Sequence, residues 1–382
     1  MMSNSETSID RELLSVIQRS VPLVAHPYSR LANEWSVTPD QVMRRVAALR
    51  AAGVIREISG IFDAAALGYV QTLAAFAVPE DRLAWAGRTV AEHPGVSHCY
   101  GRGHEVNLWF TLALSPGSAL GLEPTIHHLA AVCRAKRTLI LPTLTRYKLH
   151  VHFGEACGEG DARSTGVPPV SCMGVSPMQR QPLDRTSTSQ LHASETAAPC
   201  VEHGRDAHAT HGRDARATRL TEAQILAVRA LQVDLPVQSD PFSPLAELAD
   251  TSTEGLLQHA ADLSRLGVLR RYAAVLHHRQ VGGAVNVLVA WEADEAAVDA
   301  AGQACAALPQ ISHCYRRARA SDWPFDLYTM IHGPTREHCL DTVQSVIALT
   351  GLHRRCELWT TAEFKKQRVK LLGPEERQWE TA

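Results

Sequence analysis

Two copies of one short string contain the side chains best suited to proton transfer. Ser-His-Cys-Tyr at 97–100 recurs letter for letter at 312–315, although the sequences around the two strings have diverged. An imidazole has a pKa near neutral, so it can give or take a proton under physiological conditions, and in its neutral form it can also bind a metal ion. The candidate catalytic residues are therefore His98 and His313.

A segment rich in arginine and aromatic residues follows the second string. Guanidinium groups bind carboxylates through paired hydrogen bonds, and aromatic rings stack on flat ligands. This composition favours a flat ligand with several carboxylates, whereas a solvated, arginine-rich hairpin is the simpler structural explanation for any single residue. The candidate binding residues in this segment are Tyr315, Arg316, Arg317, Arg319, Trp323, Tyr328 and His332.

The first string is followed by fewer cations. Gly-Arg-Gly-His-Glu at 101–105 stands where the second copy has Arg-Arg-Ala-Arg-Ala-Ser-Asp-Trp at 316–323. The corresponding candidate binding residues are Tyr100, Arg102 and His104. Lys365 is a further candidate because it lies in 354–370, a stretch that contains six Lys and Arg but only two Glu. That stretch either extends the binding site or keeps a terminal segment soluble.

Both strings belong to a longer internal repeat. His-Pro-Tyr-Ser at 26–29 corresponds to Asp-Pro-Phe-Ser at 240–243, and Gly-Val-Ile-Arg at 53–56 corresponds to Gly-Val-Leu-Arg at 267–270. Both pairs are separated by 214 positions (240 minus 26, and 267 minus 53). The chain therefore contains two diverged copies of one module of about 150 residues.

The two copies are joined by 156–218, a stretch without Phe, Trp, Tyr or Ile that is rich in Ser, Thr, Pro and Gly. It ends with two similar octads, HGRDAHAT and HGRDARAT. Such a composition cannot bury a core, so we predict a disordered linker. His203, His208 and His211 would suit a metal tract, but a duplicated spacer explains their period without a ligand.

Each copy begins with the pattern of a winged helix-turn-helix. In copy 1, Thr38 and Gln41 form a capping box at the start of a helix, and in copy 2 Thr251 and Glu254 take these places. A glycine ends each of these helices, and a strand-like segment follows it. Together with a preceding helix, these elements predict a winged helix-turn-helix in both copies.

The rest of each copy has the order strand, helix, strand, strand, helix, strand, which is typical of a ferredoxin-like α+β sandwich. A winged helix followed by such a sandwich resembles the Lrp/AsnC-type regulators, which pair through their sheets. We therefore predict a tandem α+β repeat whose copies pair within one chain. The predicted domains are a winged helix-turn-helix at 1–70, a sandwich at 71–155, the linker at 156–218, a second winged helix-turn-helix at 219–284 and a second sandwich at 285–375.

Composition narrows the class of protein further. With 45% hydrophobic and 20% charged residues, the 382-residue chain can bury several cores, and no apolar run is long enough to cross a membrane. Nine scattered Cys without a C-x-x-C pair, together with an acidic N-terminal segment, favour a reduced, cytoplasmic setting. A formal net charge of −2 argues against a broad basic surface for nucleic acid.

A DNA-binding regulator is the alternative function for this domain arrangement. The reading helix of copy 1 offers Arg44, Arg45 and Arg50 for DNA contacts. The corresponding residues of copy 2 are Gln258, His259 and Ser264. Because one of the two reading helices has lost its cations, we do not expect sequence-specific DNA binding.

Strings from both copies are similar to those of sirohaem decarboxylases. In copy 1 these are HPYSRLA, GVIREISGIFD, SHCY and HEVNLWFTL, and in copy 2 they are DPFSPLA, GVLRRYAAVL, SHCYRRARASDWPFDLYTMIHG and EFKKQRVKLL. The resemblance covers about residues 10–152 and 220–372. That family normally uses two separate chains, so the resemblance implies an intramolecular pseudo-heterodimer here, either alone or within a further oligomer.

The resemblance also implies an activity. It is the removal of carbon dioxide from the C12 and C18 acetate groups of sirohaem, giving didecarboxysirohaem for an alternative haem or haem d1 pathway. No added cofactor is implied, because the iron enters as part of the substrate. His313 and His98 would deliver protons, or one of them or His332 would contact the sirohaem iron. Arg317 and Arg319 would hold carboxylates that do not react.

The unequal charge of the two copies bears on where the reaction takes place. If one pocket is productive, we expect it to be that of copy 2, which has more cations, with copy 1 completing its wall. The alternative is one acetate for each pocket. A haem-responsive regulator on the same scaffold is the competing class.

Overall fold

The computed structural model describes residues 4–149, 218–276 and 285–381. The described residues of both copies lie in one compact unit. Apart from Thr218, the predicted linker lies outside the described residues, and so does its histidine tract.

Copy 1 begins with three helices and a wing strand, as the sequence predicts. They are α1 (Asn4–Arg19), α2 (Pro27–Glu34), α3 (Pro39–Ala51) and β1 (Ile55–Phe62). The sandwich of copy 1 follows as β2 (Val70–Ala77), α4 (Leu83–Glu92), β3 (Val96–Arg102), β4 (Leu108–Leu114), α5 (Leu122–Cys133) and β5 (Arg137–Leu149).

Copy 2 repeats this order and ends with one additional helix. Its winged helix-turn-helix consists of α6 (Glu222–Leu231), α7 (Ser243–Leu248), α8 (Thr253–Arg265) and β6 (Leu269–Leu276). Its sandwich consists of β7 (Val285–Trp291), α9 (Val298–Ala307), β8 (Ile311–Arg317), β9 (Leu327–Gly333), α10 (Arg336–Thr350) and β10 (Arg355–Lys366), and α11 (Glu375–Thr381) follows.

The starts of the reading helices test the capping predictions. At α3, the Thr38 hydroxyl accepts a hydrogen bond from the Gln41 amide, and the Thr38 amide donates to Gln41 Oε1 at 2.8 Å, so that capping box is confirmed. At α8, the cap is Ser252, whose hydroxyl accepts a hydrogen bond from the Gly255 amide at 3.1 Å. The prediction of Thr251 is wrong by one residue, because Ser252 is the extended residue directly before the helix.

The two winged helix-turn-helix modules pack against each other. Their wings β1 and β6 pair as antiparallel strands. Leu31 and Val46 of copy 1 share a single hydrophobic core with Leu245 and Leu263 of copy 2. Burial of apolar surface between the copies therefore begins at the winged helices.

Two of the three reading-helix arginines in copy 1 are held in ion pairs. Arg45 Nη1 lies 2.8 Å from Asp10 Oδ1, and Arg50 Nη2 lies 2.7 Å from Asp234 Oδ1 of copy 2. Arg50 also donates a hydrogen bond to the Leu235 carbonyl. These contacts serve packing within and between the modules, which weakens the DNA-binding alternative.

The two sandwiches share one closed barrel with the strand order β10-β3-β4-β2-β5-β8-β9-β7. Each copy contributes four strands in the ferredoxin-like order. The first part of β10 pairs with β7 of its own copy, whereas 360–366 pairs with β3 of copy 1. In the same way, the first part of β5 pairs with β2, and 143–149 pairs with β8 of copy 2. Two long strands thus join the copies edge to edge.

Part of the inner face of the barrel forms an apolar core, and the helices cover the outer face in two separate cores. The inner core is formed by Leu73, Ala75, Val106, Trp109, Leu139, Leu141, Leu288, Ala290, Trp323, Tyr328 and Leu358. Because side chains alternate along a strand, the residues of β3 and β8 that do not face the helices point to this inner side.

Two glycines allow the exchanged strands to dock on the helices of the other copy. Gly87 of α4 lies directly under the ring of Phe364 in β10, and Gly302 of α9 lies under the ring of Tyr147 in β5. A Cβ atom at either glycine would overlap the ring above it. Glycine is required at both positions because the aromatic ring of the exchanged strand lies so close to the helix backbone.

Candidate active site

Alternation along β3 and β8 determines which residues of the repeated string share a face. Cys99 and Cys314 point into the cores beneath the helices. The residues on the opposite face are His98, Tyr100 and Arg102 in β3, here the copy-1 cluster, and His313, Tyr315 and Arg317 in β8, the copy-2 cluster. The structure therefore brings the predicted histidines and tyrosines together.

The two clusters have the same internal geometry. In the copy-2 cluster the rings of His313 and Tyr315 are 6.3 Å apart at an angle of 18°. The guanidinium carbon of Arg317 lies 4.9 Å from the centre of the Tyr315 ring. The corresponding distances in the copy-1 cluster are 6.2 and 5.1 Å. Any functional difference between the clusters must come from their neighbours.

The arginine of each cluster holds the exchanged strand. Arg317 Nη1 donates to the Leu141 carbonyl at 3.1 Å and to Thr143 Oγ1 at 2.9 Å, both in β5. Arg102 makes the equivalent contacts with Leu358 and Thr360 of β10. Burial lowers the pKa of both arginines to about 10, so they stay charged at neutral pH. These partners differ from the substrate carboxylates that we predicted for Arg317.

Three other predicted binding residues lie apart from the cluster face. Arg316 pairs with Glu295 near α9, which places its guanidinium on the helix side of the sheet. Arg319 pairs with Asp326 at 3.0 Å and donates to the Ala293 carbonyl. The Lys365 ammonium donates to two carbonyls at the end of α4, those of Ala91 and His93, at 2.6 and 2.9 Å. The structure gives all three packing or capping partners within the chain.

The predicted aromatic walls belong to the inner core. Trp323 Nε1 donates to the Tyr328 hydroxyl at 2.8 Å, and the two side chains are 3% and 1% exposed. The Trp323 ring also contacts Trp109 at 5.7 Å and the edge of His104 at 5.6 Å. Such burial leaves little surface on which a ligand could stack.

Strand exchange supplies residues that the sequence analysis did not include as candidates. Arg146 of β5 is paired with Tyr315 of the copy-2 cluster. In the copy-1 cluster, Glu363 of β10 is paired with Tyr100, and Lys366 is paired with His98. No motif within one copy indicates these neighbours, because they come from the other copy. The copy-2 cluster thus gains a cation where the copy-1 cluster gains a carboxylate.

Burial and these neighbours shift the titration of the cluster residues. Burial, assisted by the Lys366 ammonium, lowers the pKa of His98 from 6.5 to about 4. Burial and the Glu363 carboxylate raise the pKa of Tyr100 to about 12. Burial also raises the pKa of Tyr315, although Arg317 and Arg146 oppose that rise. At neutral pH, His98 is therefore an uncharged imidazole and both tyrosines are hydrogen-bond donors.

Serine hydroxyls hold the cluster histidines at one ring nitrogen. Ser97 Oγ lies 3.0 Å from His98 Nδ1 and 2.6 Å from Thr111 Oγ1. Ser312 Oγ lies 2.8 Å from His313 Nδ1 and 2.9 Å from His332 Nε2. His332, which is one of the predicted residues, is thus linked to the copy-2 cluster through the Ser312 hydroxyl.

Other kinds of site are absent from the described ranges. Residues 4–149, 218–276 and 285–381 contain no group of three or more His, Cys, Asp or Glu placed to hold a metal ion. Within the same ranges, no helix is long and apolar enough to cross a membrane.

Comparisons with known proteins agree with this architecture. Residues 66–148 and 280–365 match the AsnC-like ligand binding domain, and residues 10–56 match the siroheme decarboxylase NirDL-like HTH domain. The crystal structure of the siroheme decarboxylase NirDL in complex with an iron-uroporphyrin III analogue is similar, with a TM-score of 0.71 and 27% identity over 97% of each chain. The fold is thus that of a tandem AsnC-type ligand-binding protein.

Full-length and half-length relatives point to the same family. The siroheme decarboxylase of Hydrogenobacter thermophilus is 29% identical over 96% of both chains. The siroheme decarboxylase alpha and beta subunits of Desulfovibrio desulfuricans are 37% and 36% identical. Each subunit matches less than two fifths of this chain but 83% and 88% of its own length. The chain belongs to the siroheme decarboxylase family, with both subunit types fused.

Proposed function

We propose that this chain decarboxylates sirohaem at the C12 and C18 acetate groups, yielding didecarboxysirohaem for an alternative haem or haem d1 pathway. The observation that carries the proposal is the copy-2 cluster, in which Tyr315 lies beside His313 and is paired across the strands with Arg146. This arrangement offers a proton donor, a hydroxyl and a cation to one polycarboxylate ligand. Family membership and the tetrapyrrole analogue bound to NirDL support the same substrate class.

The reaction requires no redox change and no added cofactor. The bond between the acetate methylene and its carboxylate carbon breaks, carbon dioxide leaves, and the electron pair stays on the methylene. The conjugated macrocycle accepts that charge when a neighbouring ring carbon is protonated, and the ring carbon returns this proton to water once the methyl group has formed. His313 then delivers the proton that forms the new methyl C–H bond. One proton is consumed for each carbon dioxide released.

The ionic neighbours favour copy 2 as the reaction site. Arg146 attracts carboxylates to the copy-2 cluster, whereas in the copy-1 cluster the Glu363 carboxylate offsets the Lys366 ammonium. His98, with its pKa near 4, holds almost no transferable proton at neutral pH. Copy 1 thus supplies strand β5 and its cation, and the candidate acid that remains is His313 of copy 2.

A cation placed on non-reacting carboxylates contributes more to catalysis than one placed on the departing group. Binding energy from the remaining carboxylates can hold the reacting acetate in a poorly solvated position. A guanidinium on the departing carboxylate would stabilise the ground state instead. We assign Arg146 to a non-reacting carboxylate for this reason.

Anaerobic incubation of the purified chain with sirohaem, followed by mass spectrometry, tests the proposed function. The expected result is the loss of two carbon dioxide units from the tetrapyrrole. Unchanged sirohaem, together with tight and sequence-selective binding of an operator DNA at physiological salt, would instead support the haem-responsive regulator.

A further inference from the structure

Ser312 connects two histidines of copy 2 through one hydroxyl. Its oxygen lies 2.8 Å from His313 Nδ1, 2.9 Å from His332 Nε2 and 3.3 Å from the Met330 carbonyl. Ser312 is only 5% exposed, whereas His332 lies at the end of β9 with its side chain exposed. The three side chains thus form a line from solvent to the copy-2 cluster.

The proposed reaction requires that protons reach His313 from solvent, and this line of side chains could conduct them. Each decarboxylation consumes one proton, and a second acetate cannot react until the donor has been recharged. A donor facing a bound tetrapyrrole is shielded from water on its reactive side. Recharging through the opposite ring nitrogen avoids this conflict, because an imidazole can gain a proton at Nδ1 as it loses one at Nε2.

We propose that His332 and Ser312 are the proton inlet of the copy-2 cluster, an inference that rests on the proposed function. His332 takes a proton from water and passes the Nε2 proton to Ser312 Oγ. The hydroxyl passes its own proton to His313 Nδ1, and His313 releases its Nε2 proton to the methylene carbon. Rotation of the hydroxyl restores Ser312, and the His313 ring exchanges its Nδ1 proton for one at Nε2 through water once the reacted side chain has left the cluster.

The resting geometry is compatible with this transfer. A serine hydroxyl carries one proton and can accept two hydrogen bonds. The hydroxyl has two possible acceptors, the Met330 carbonyl and His313 Nδ1. When His313 carries its own ring proton at Nε2, the hydroxyl donates to Nδ1 and His332 Nε2 donates to the oxygen. The same bond fixes the His313 ring, so Ser312 is a positioning residue as well as a relay.

Copy 1 has the hydroxyl but not the second imidazole. Ser97 links His98 Nδ1 to Thr111 Oγ1, an alcohol that does not titrate near neutral pH. His332 of copy 2 corresponds to Ala113 of copy 1. The two positions are 219 apart, as are Tyr328 and Trp109 in the same pair of strands (332 minus 113, and 328 minus 109). Only copy 2 of the described chain therefore carries a titratable group at the outer end of the line.

Chemical rescue in the full chain tests the inlet. His332→Ala and Ser312→Ala should each lower the sirohaem decarboxylation rate by about 100-fold, the lower range for a lost acid–base group. Sirohaem affinity, measured by absorbance titration, should stay within about twofold. Imidazole added to the buffer should restore most of the rate of His332→Ala, because it can replace an exposed side chain, but not that of Ser312→Ala.

Matched controls separate transfer from packing. His338→Ala removes an exposed histidine of α10 outside the line and should keep the wild-type rate. Ser312→Thr keeps the hydroxyl and should restore part of the rate. If Ser312→Ala does not fold, His332→Ala alone decides, since truncation of an exposed side chain opens no core. The inlet is wrong if His332→Ala turns over at the wild-type rate, or if imidazole fails to rescue a slow His332→Ala enzyme. A wild-type chain that leaves sirohaem unchanged would instead refute the proposed function.

Discussion

At the scale of single residues, neighbours from the other copy decide what identical side chains can do. His98 and His313 lie in identical strings and make the same serine contact, yet Lys366 lies beside only the first. The repeated string is enough to predict the histidines and tyrosines of the two clusters. It cannot reveal that Arg317 bonds to β5, because a guanidinium suits a backbone carbonyl as well as a ligand carboxylate.

Arg146 provides a test of the cation that strand exchange brings to the copy-2 cluster. Arg146→Ala should weaken sirohaem binding by about 10-fold to 100-fold, as expected when a charge-assisted contact worth about 1.5 to 3 kcal/mol is lost. The rate at saturating sirohaem should change little. Absorbance titration and initial rates would measure the two effects separately.

Arg316→Ala is the matched control for that experiment. It removes an arginine from β8, but one that pairs with Glu295 on the helix side of the sheet. Its sirohaem affinity should equal that of the wild type. Equal losses of affinity in both variants would show that general positive charge, and not the position of Arg146, determines binding.

At the scale of elements, the strands that close the barrel are the part that the sequence predicts least well. The pattern of copy 2 predicts a last strand over about 354–361, whereas β10 continues to Lys366. Only the first part of β10 pairs within its own copy. The hydrophobic pattern of that sandwich therefore does not predict the remaining part of the strand, which pairs with β3. The order of helices and strands is predictable because each segment has its own hydrophobic periodicity and its own capping residues.

The docking of β5 on α9 depends on the absence of a side chain at Gly302. Gly302→Val should force the Tyr147 ring away from α9 and lower the free energy of unfolding by about 1 to 3 kcal/mol, as overpacking usually does. Urea unfolding followed by circular dichroism would measure the loss. Gly103→Ala is the control, since its nearest side-chain atom is 3.7 Å from an added Cβ. Equal midpoints for both variants would contradict this role of Gly302.

Helix α11 covers a buried histidine and makes stability depend on pH. The Trp379 ring of α11 packs against the His93 ring at a tilt of 60°, with the ring centres 4.1 Å apart. Burial, assisted by Lys365, lowers the pKa of His93 from 6.5 to about 4. The unfolded chain therefore binds more protons than the folded chain between these values. This difference destabilises the fold as the pH falls below about 6.5, by about 3 kcal/mol at most.

We expect the urea midpoint of the wild type to fall between pH 7 and pH 5. His93→Asn keeps an acceptor for the Gly95 amide but does not titrate, so its midpoint should fall less over the same range. His338→Asn, at an exposed position on α10, should follow the wild type. Parallel pH profiles for wild type and His93→Asn would contradict the assignment.

At the scale of the whole molecule, strand pairing and shared cores join the described parts of the two copies. These are the wing pair β1–β6, the edge pairs β5–β8 and β10–β3, and the cores that both copies fill. None of them depends on a peptide link between the copies. The internal repeat predicts such pairing, because each sheet leaves an apolar face that its own helices do not cover.

Limited proteolysis tests whether the covalent connection is dispensable. Cleavage within 156–218 should leave two fragments that elute together in size-exclusion chromatography and keep the sirohaem decarboxylation rate of the intact chain. The reason is that the described contacts between the copies bury the shared inner core of the barrel. Fragments that separate or unfold after cleavage would contradict the intramolecular pseudo-heterodimer.

The central claim is that the copy-2 cluster protonates the decarboxylated side chains of sirohaem. The most direct test is the mass of the tetrapyrrole recovered from anaerobic reactions of wild type, His313→Ala and the surface control His338→Ala. We predict that His313→Ala binds sirohaem but forms product at least about 100-fold more slowly, while the control matches the wild type. In the same measurement His98→Ala should still remove both carboxyl groups, and an accumulated monodecarboxylated product would assign one acetate to each copy. Conversion of sirohaem by His313→Ala at the wild-type rate would contradict the account.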